Sequence, residues 1–298
     1  MDYKCMNVSK SYHKFAQKED IKALENINLT FSTGEIIGLV GLPGSGKTTL
    51  IDVMAGNLEA NEGTLNYSPE GLVRVHKATS VKLNKNLSVY DNMVLFGKKE
   101  RMSELDVENR MVQLRDIFAL NKCINLKAGE LDSENKVKVE LAITLLSTPR
   151  MLFIDDAFSF LNHASKNEVL KCLKRLNKEE RTIIVLVSSS LNDVDKIINR
   201  LVIIDRNEII YDNGYLGFKE QYCKNKVFEV FLKKNVSIEV SEGIEVLEKS
   251  EYHYKLSFVN ENGMLSKVIS LFDVDNIIDL TIGNVSLYDI VENIRKGE

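Results

Sequence analysis

The sequence predicts an α/β protein with a mostly parallel sheet, followed by a small separate α+β domain. Three observations support this prediction. A glycine-rich loop at 41–49 lies between an apolar strand and a helix. Apolar strands and amphipathic helices then alternate to about residue 215, the pattern of parallel strands joined by crossover helices. Beyond about residue 222 short strands dominate, and a chain of 298 residues has room for two domains.

The first region of the chain leads into the glycine-rich loop. Residues 1–35 alternate apolar and polar positions around a polar break at 17–20, which predicts antiparallel strands. We place Tyr12 in that break. The apolar run 36–40 then predicts a buried strand that ends at the loop.

The loop has the residue types that bind phosphate. Glycines allow successive backbone N–H groups to point inward, and the following helix N-terminus favours negative charge. Lys47 can reach β- and γ-phosphates, and Thr48 offers a hydroxyl to Mg²⁺. The predicted phosphate-binding residues of the loop are Gly41, Leu42, Pro43, Gly44, Ser45, Gly46, Lys47, Thr48 and Thr49.

The elements after the loop follow from hydrophobic periodicity. Residues 87–148 read as an α-helical insertion, and the apolar run 151–154 predicts a central parallel strand that ends at Asp155 and Asp156. The remaining strands of this domain are predicted at 71–75, 182–187, 201–205 and 208–211, and a helix is predicted around 169–176. In the last domain we predict strands at 227–232, 238–246, 252–259 and 277–282, and helices at 264–272 and 287–294, the latter capped by Ser286.

Composition excludes several classes of protein. The net charge of −4 gives no general attraction to nucleic acid, and we predict no nucleic-acid partner. No apolar run approaches the roughly 18 residues that span a bilayer, and the N-terminus does not resemble a secretory signal, so we expect a cytoplasmic protein. The four cysteines are widely separated, which argues against disulfides or a zinc site.

The order of these features resembles the nucleotide-binding domain of ABC transporters. The resemblance covers about residues 1–215 and implies a P-loop NTPase core with antiparallel β and α-helical subdomains. It divides the chain into 1–218, with a helical subdomain at about 87–148, and a small domain at 219–298, which resembles the tail of ATPase subunits of bacterial drug and peptide exporters. The resemblance implies that Tyr12 stacks on adenine and that Asp155 holds Mg²⁺. The alternative for Tyr12 is a strand-edge tyrosine.

Two residues depart from the family pattern at the catalytic positions. In the family a glutamate follows the magnesium-binding aspartate, whereas this chain has the shorter Asp156. Ser190 stands where the family has a histidine, and a serine cannot carry an imidazolium charge. Both differences predict slow hydrolysis, although Ser190 is equally consistent with a polar strand end.

The segment that corresponds to the family's signature motif also departs from the pattern. In the family this motif caps the ATP of a partner subunit. Asp132 and Glu134 place carboxylates where a phosphate would lie, but Asp132 is also a good helix N-cap, which is the favoured interpretation. The family's Q-loop glutamine is absent; its place falls near Thr79, or at His76 or Lys77 if the loop is longer. The signature residues are Leu131, Asp132, Ser133, Glu134 and Asn135.

These features predict the ATP-binding subunit of an ABC-type exporter at the inner face of the membrane, with ATP and Mg²⁺ as cofactors. Transmembrane permease subunits would be separate chains, and a second, better conserved ATPase subunit would form a heterodimer in preference to a homodimer. The cargo would be a peptide, toxin or antimicrobial, for example a phenol-soluble modulin. One alternative is a regulatory subunit that binds ATP without hydrolysing it. Another, which fits less well, is an ABC-type ATPase that acts on ribosomes or DNA.

Overall fold

The computed structural model describes residues 2–13, 20–69, 72–77, 82–156, 158 and 161–296. The chain divides into two compact units, Met1–Asp212 and Asn213–Glu298. The predicted polar break at 17–20 lies outside the described residues, except for residue 20.

The first unit is built on a six-stranded sheet. Its central strands consist almost entirely of apolar residues that are buried, as expected for parallel strands covered on both faces. The strand order is β5-β6-β7-β3-β8-β9, and β5, β6, β7, β3 and β8 pair in parallel. The strands are Ile36–Val40 (β3), Val73–Lys77 (β5), Met151–Asp155 (β6), Ile183–Ser188 (β7), Arg200–Asp205 (β8) and Glu208–Gly214 (β9).

A three-stranded antiparallel sheet completes the β structure of this unit. Its strands are Asp2–Tyr12 (β1), Ile21–Ser32 (β2) and Glu62–Leu65 (β4), in the order β2-β1-β4. The placement of Tyr12 in the polar break is wrong, because Tyr12 is the last residue of β1 and pairs with Ile21. The apolar face of this sheet packs into the same core as β3, β6 and β7, so the antiparallel sheet and the parallel sheet share one hydrophobic core.

Five α-helices belong to the described part of the first unit, and three of them occupy the region predicted as helical. Side-chain oxygens of Ser88, Ser103, Asp132 and Asn162 accept hydrogen bonds from backbone N–H groups in the first turns of α2 to α5, which explains where these helices begin. The helices are Lys47–Met54 (α1), Val89–Lys99 (α2), Glu104–Ile117 (α3), Ser133–Thr144 (α4) and His163–Glu180 (α5).

A buried ion pair joins α3 to α5. Arg110 donates from both terminal nitrogens to the carboxylate of Glu180, at 2.6 and 2.9 Å, and its Nε donates to the carbonyl of Leu145 at 3.1 Å. The Arg110 side chain is only 6% exposed, so removal of Glu180 would leave a buried charge unpaired. This pair fixes the helical insertion to a helix of the sheet core.

The second unit contains a four-stranded antiparallel sheet in the order β11-β12-β10-β13. The predicted strand at 238–246 is wrong for most of its length, because the strand begins only at Ile244. Val236 and Ile238 pack against the core from irregular chain, and the carbonyl of Val236 accepts a hydrogen bond from the Tyr254 hydroxyl. The elements are Asn225–Leu232 (β10), Ile244–Lys249 (β11), His253–Val259 (β12), Ile277–Asn284 (β13), Tyr215–Tyr222 (α6), Met264–Ile269 (α7) and Leu287–Lys296 (α8).

The last helix begins as predicted. Ser286 Oγ accepts a hydrogen bond from the Asp289 backbone N–H at 3.2 Å, which is the geometry of an N-cap. Among all described residues, no helix combines the length and the apolar character needed to cross a membrane.

Glu140 on α4 makes the stability of the fold dependent on pH. The residue is 2% exposed, and burial raises the pKa of its carboxyl from 4.5 to about 7, opposed by Lys136 at 3.9 Å. Because the pKa of Glu140 is higher in the folded state, its contribution to the free energy of unfolding is complete below about pH 4.5, where the carboxyl is protonated. This contribution is lost as the pH rises through about 7 and the buried carboxyl becomes charged. We expect Glu140→Gln to raise the free energy of unfolding, relative to the wild type, by about 2 kcal/mol more at pH 8 than at pH 5.

Urea unfolding of both proteins at these two pH values measures this effect. Glu108→Gln, at an exposed position of α3, is the matched control and should change the free energy of unfolding equally at both pH values. An equal change for Glu140→Gln at both pH values would contradict the interpretation.

Candidate functional site

The phosphate loop connects β3 to α1, and its glycines are required by close contacts. A Cβ at Gly41 would lie 2.2 Å from the carbonyl oxygen of Ile204, and one at Gly46 would lie 2.5 Å from the carbonyl oxygen of Ala23. Gly44 and Gly46 have φ angles of +81° and +105°, a region that other residues rarely adopt. The backbone can therefore take this path only with glycine at these positions.

Lys47, the first residue of α1, folds back onto the loop. Its Nζ donates hydrogen bonds to the carbonyls of Gly41, at 2.7 Å, and Leu42, at 3.0 Å. Burial lowers the pKa of this ammonium, while the carboxylates of Asp155 and Asp156 act in the opposite direction. The ammonium thus lies over the loop, where a bound phosphate would replace the carbonyls as its acceptor.

The other loop residues differ in exposure. Ser45 is buried, and its carbonyl accepts a hydrogen bond from the backbone N–H of Asn207 at 3.2 Å. Pro43 and Thr48 are exposed, whereas Thr49 is half-buried. The Tyr12 hydroxyl lies 3.4 Å from Thr49 Oγ1, and the tyrosine side chain is 41% exposed. Tyr12 is therefore beside the start of α1 with part of its surface accessible, which fits either of its two predicted roles.

The parallel register brings the predicted catalytic residues to the same edge of the sheet. β7 lies between β3 and β6, and it pairs Ser188 with Val40 and Val187 with Asp155. The phosphate loop follows Val40, and Ser190 follows Ser188 by two residues. Ligands of parallel sheets bind at the carboxyl ends of the strands, which is where these residues lie.

Asp155 is a largely buried carboxylate at this edge. Its side chain is 16% exposed, and its Oδ2 lies 3.8 Å from Nζ of Lys77 on β5. Burial raises the pKa of Asp155, opposed by the Lys77 ammonium. A carboxylate oxygen and the Thr48 hydroxyl are hard ligands that suit Mg²⁺. The described residues include no group of three or more His, Cys, Asp or Glu side chains arranged to hold a metal ion, so a divalent ion here would also need oxygens from water or a nucleotide.

Asp156 has an unusual backbone conformation. Its φ is +48°, in the left-handed region that aspartate adopts more readily than glutamate does, and its N–H donates to the carbonyl of Val187 at 3.1 Å. The residue is exposed. Ser190 is half-buried, and its N–H donates to Ser188 Oγ at 3.0 Å. The carboxylate and the hydroxyl thus follow adjacent strands.

The signature segment forms the start of α4. Asp132 Oδ1 accepts a hydrogen bond from the Asn135 backbone N–H at 2.7 Å, so the N-cap alternative for Asp132 describes its contact in this structure. Glu134 pairs with Lys138 at 2.7 Å, and this hydrogen bond lowers the pKa of Glu134. Leu131 is half-buried and Ser133 is exposed. The Asp132 carboxylate therefore caps α4, and the Glu134 carboxylate binds Lys138 on the same helix.

The predicted Q-loop position, Thr79, lies outside the described residues. His76 is buried on β5, with Nδ1 3.4 Å from Thr144 Oγ1, so it faces α4. From the sequence, Lys77 is predicted only as a possible Q-loop position. In the structure it contacts Asp155. The pairing of β5 with β6 produces this contact, and the sequence carries no signal for that register.

Comparison with known proteins shows which proteins this chain resembles. Residues 24–159 match the family model described as ABC transporter. A methionine import ATP-binding protein, MetN, of Lactobacillus acidophilus is 26% identical, over 92% of this chain and 84% of the relative. MetN of Staphylococcus haemolyticus is 24% identical, over 97% of this chain and 87% of the relative.

Solved structures confirm the predicted fold class. The cbiO1 protein from Clostridium perfringens, part of the ABC transporter complex cbiONQ, has a TM-score of 0.66 and 17% identity, over 74% of this chain and 90% of its own. The ADP conformation of MJ1267, an ATP-binding cassette of an ABC transporter, has a TM-score of 0.64 and 22% identity, over 74% of this chain and 94% of its own. The phosphate loop, the sheet around it and these similarities together show that this chain has an ABC-type P-loop NTPase fold.

Proposed function

We propose that this chain is the ATP-binding subunit of an ABC-type transporter that binds MgATP well and hydrolyses it slowly. The strongest support is a contrast between two groups of residues at the carboxyl edge of the parallel sheet. The phosphate loop has the glycines and the lysine that ATP binding needs. The positions that would activate water and stabilise the γ-phosphate carry the short Asp156 and the uncharged Ser190.

Each residue has a separate role in this proposal. The loop amides and Lys47 hold the phosphates, Tyr12 stacks on adenine, and Thr48 and Asp155 hold Mg²⁺. The ion would neutralise phosphate charge. Asp156 would orient the attacking water and accept its proton.

We further propose that the chain works at the inner face of the membrane with separate permease subunits and a second ATPase subunit. A heterodimer is favoured because Asp132 and Glu134 place carboxylates where a partner's ATP would bind. Against a partner with a better signature segment, the phosphate loop of this chain would form one competent site.

The direction of transport has two candidates. Export of a peptide, such as a phenol-soluble modulin, rests on the resemblance of the C-terminal region to exporter subunits. Import is supported by the relatives named above as methionine import proteins, which align over 92% and 97% of this chain and therefore across both units. On these comparisons we favour import of an amino acid such as methionine.

Transport assays test this proposal directly. The chain should be co-purified with its permease and reconstituted in vesicles with the ATP site outside, which represents the inner face. For an importer, labelled methionine loaded inside the vesicles should leave them on addition of ATP. For an exporter, a labelled amphipathic peptide added outside should accumulate inside. If no membrane protein co-purifies, the transporter assignment is wrong.

A further inference from the structure

Lys77 lies beside the carboxylate proposed to hold Mg²⁺. β5 and β6 pair in parallel with Lys77 opposite Asp155, so the two side chains leave the ends of adjacent strands together. Nζ of Lys77 is 3.8 Å from Oδ2 of Asp155. The register of the sheet therefore places an ammonium group next to the proposed metal ligand.

A second carboxylate holds the same ammonium. Asp52 lies on α1, the helix that follows the phosphate loop, and its Oδ1 is 3.4 Å from Nζ of Lys77. The Lys77 side chain is 37% exposed, compared with 29% for Asp52 and 16% for Asp155. The cation thus lies between the strand that ends at Asp155 and the helix that would bind phosphate, in a partly desolvated position where charges interact strongly.

The position of Lys77 affects metal-free ATP and MgATP in opposite ways. Without this ammonium, a metal-free nucleotide would meet Asp52, Asp155 and Asp156 with Lys47 as its main positive partner. Lys77 offsets that negative charge and so favours the metal-free nucleotide. A divalent ion on Asp155 would in contrast be repelled by the nearby ammonium.

We propose that Lys77 acts as a built-in cation of the nucleotide site, so that this chain binds metal-free ATP nearly as tightly as MgATP. The inference rests on the proposed ATP-binding function. It assigns Lys77 as a positioning residue that sets the metal dependence of binding.

Isothermal titration of the full chain with ATP tests this inference. One titration is made in excess MgCl₂ and the other in EDTA without added metal. We expect the two Kd values of the wild type to agree within about threefold. Lys77→Met should raise the ratio of the Kd in EDTA to the Kd in MgCl₂ at least about tenfold. Lys77→Arg keeps the charge and should retain the ratio of the wild type.

The possible failures of the two proposals are distinguishable. No binding of ATP in either condition would refute the proposed function. Binding of MgATP without measurable binding of metal-free ATP would overturn the inference alone, as would an unchanged ratio in Lys77→Met. Lys77→Gln and Asp52→Asn provide a second pair of variants if Lys77→Met does not fold. The first should raise the ratio in the same way. The second should lower it, because it removes one negative charge that repels ATP.

Discussion

Lys47→Ala is expected to lower the affinity for ATP by at least about a hundredfold, the largest effect on binding of any single change considered. The substitution removes the ammonium that lies over the phosphate loop, and with it the charge that would contact the β- and γ-phosphates. In the structure this group donates to the carbonyls of Gly41 and Leu42 and to the hydroxyl of Ser45, all of them within the loop. Because no core contact depends on it, the fold should be retained. Titration with ATP in the presence of Mg²⁺ measures the loss.

Lys171→Ala is a suitable control for this experiment. Lys171 is an exposed residue of α5 that pairs with Glu168, so its removal changes the net charge equally without touching the loop. Both variants should unfold at nearly the same temperature as the wild type. If Lys47→Ala binds ATP within about threefold of the wild type, the phosphate loop is not the nucleotide site.

The phosphate loop could be predicted from the sequence because its requirements are local. Gly44 and Gly46 are needed for their positive φ angles, and a Cβ at Gly41 would lie 2.6 Å from Ser45 Oγ of the same loop, so the residue pattern itself specifies much of the backbone path. The buried strands at 151–154 and 182–187 could be predicted equally well, because strands covered on both faces appear in the sequence as continuous apolar runs. These strands place Asp155 and Ser190 at the same edge as the loop.

Features that depend on contacts between distant segments could not be predicted. The contact of Lys77 with Asp155 depends on the register of two strands whose pairing the sequence does not specify. The strand Glu62–Leu65 is short and largely exposed, and it forms only because β1 supplies a partner. At 238–243, Ile238 packs against the core without joining the sheet and Val240 is exposed, although a periodicity argument reads these residues as a strand.

The helix α6, Tyr215–Tyr222, could not be predicted from the sequence either. It is short, begins after Gly214 without a side-chain cap, and buries only Tyr215 and Phe218. Its aromatic residues stack on each other, with the rings of Tyr215 and Phe218 centred 6.1 Å apart. The sequence signal for such a helix is weak because helix propensity and capping are both poor.

Asp156→Asn is expected to lower ATP turnover by about a hundredfold while leaving the Kd for ATP within about threefold. The amide keeps the size of the carboxylate and tolerates the φ of +48°, so the change removes the negative charge and the capacity to accept a proton while preserving the backbone. Turnover should be measured in the assembled transporter and in the chain alone, where we expect less than about one per second. Unchanged turnover in Asp156→Asn would favour the regulatory subunit that binds ATP without hydrolysing it.

Asp156→Glu tests whether hydrolysis is slow because the Asp156 carboxylate is too short to reach the attacking water. The added methylene moves the carboxylate on the order of an ångström toward the position it has in the family, and we expect turnover to rise roughly tenfold. Opposing this gain, the left-handed backbone at residue 156 disfavours glutamate relative to aspartate, at a cost of about 1 kcal/mol in stability. A gain in turnover despite this strain would show that reach limits hydrolysis. No gain would mean that Ser190, which cannot supply a positive charge, sets the limit instead.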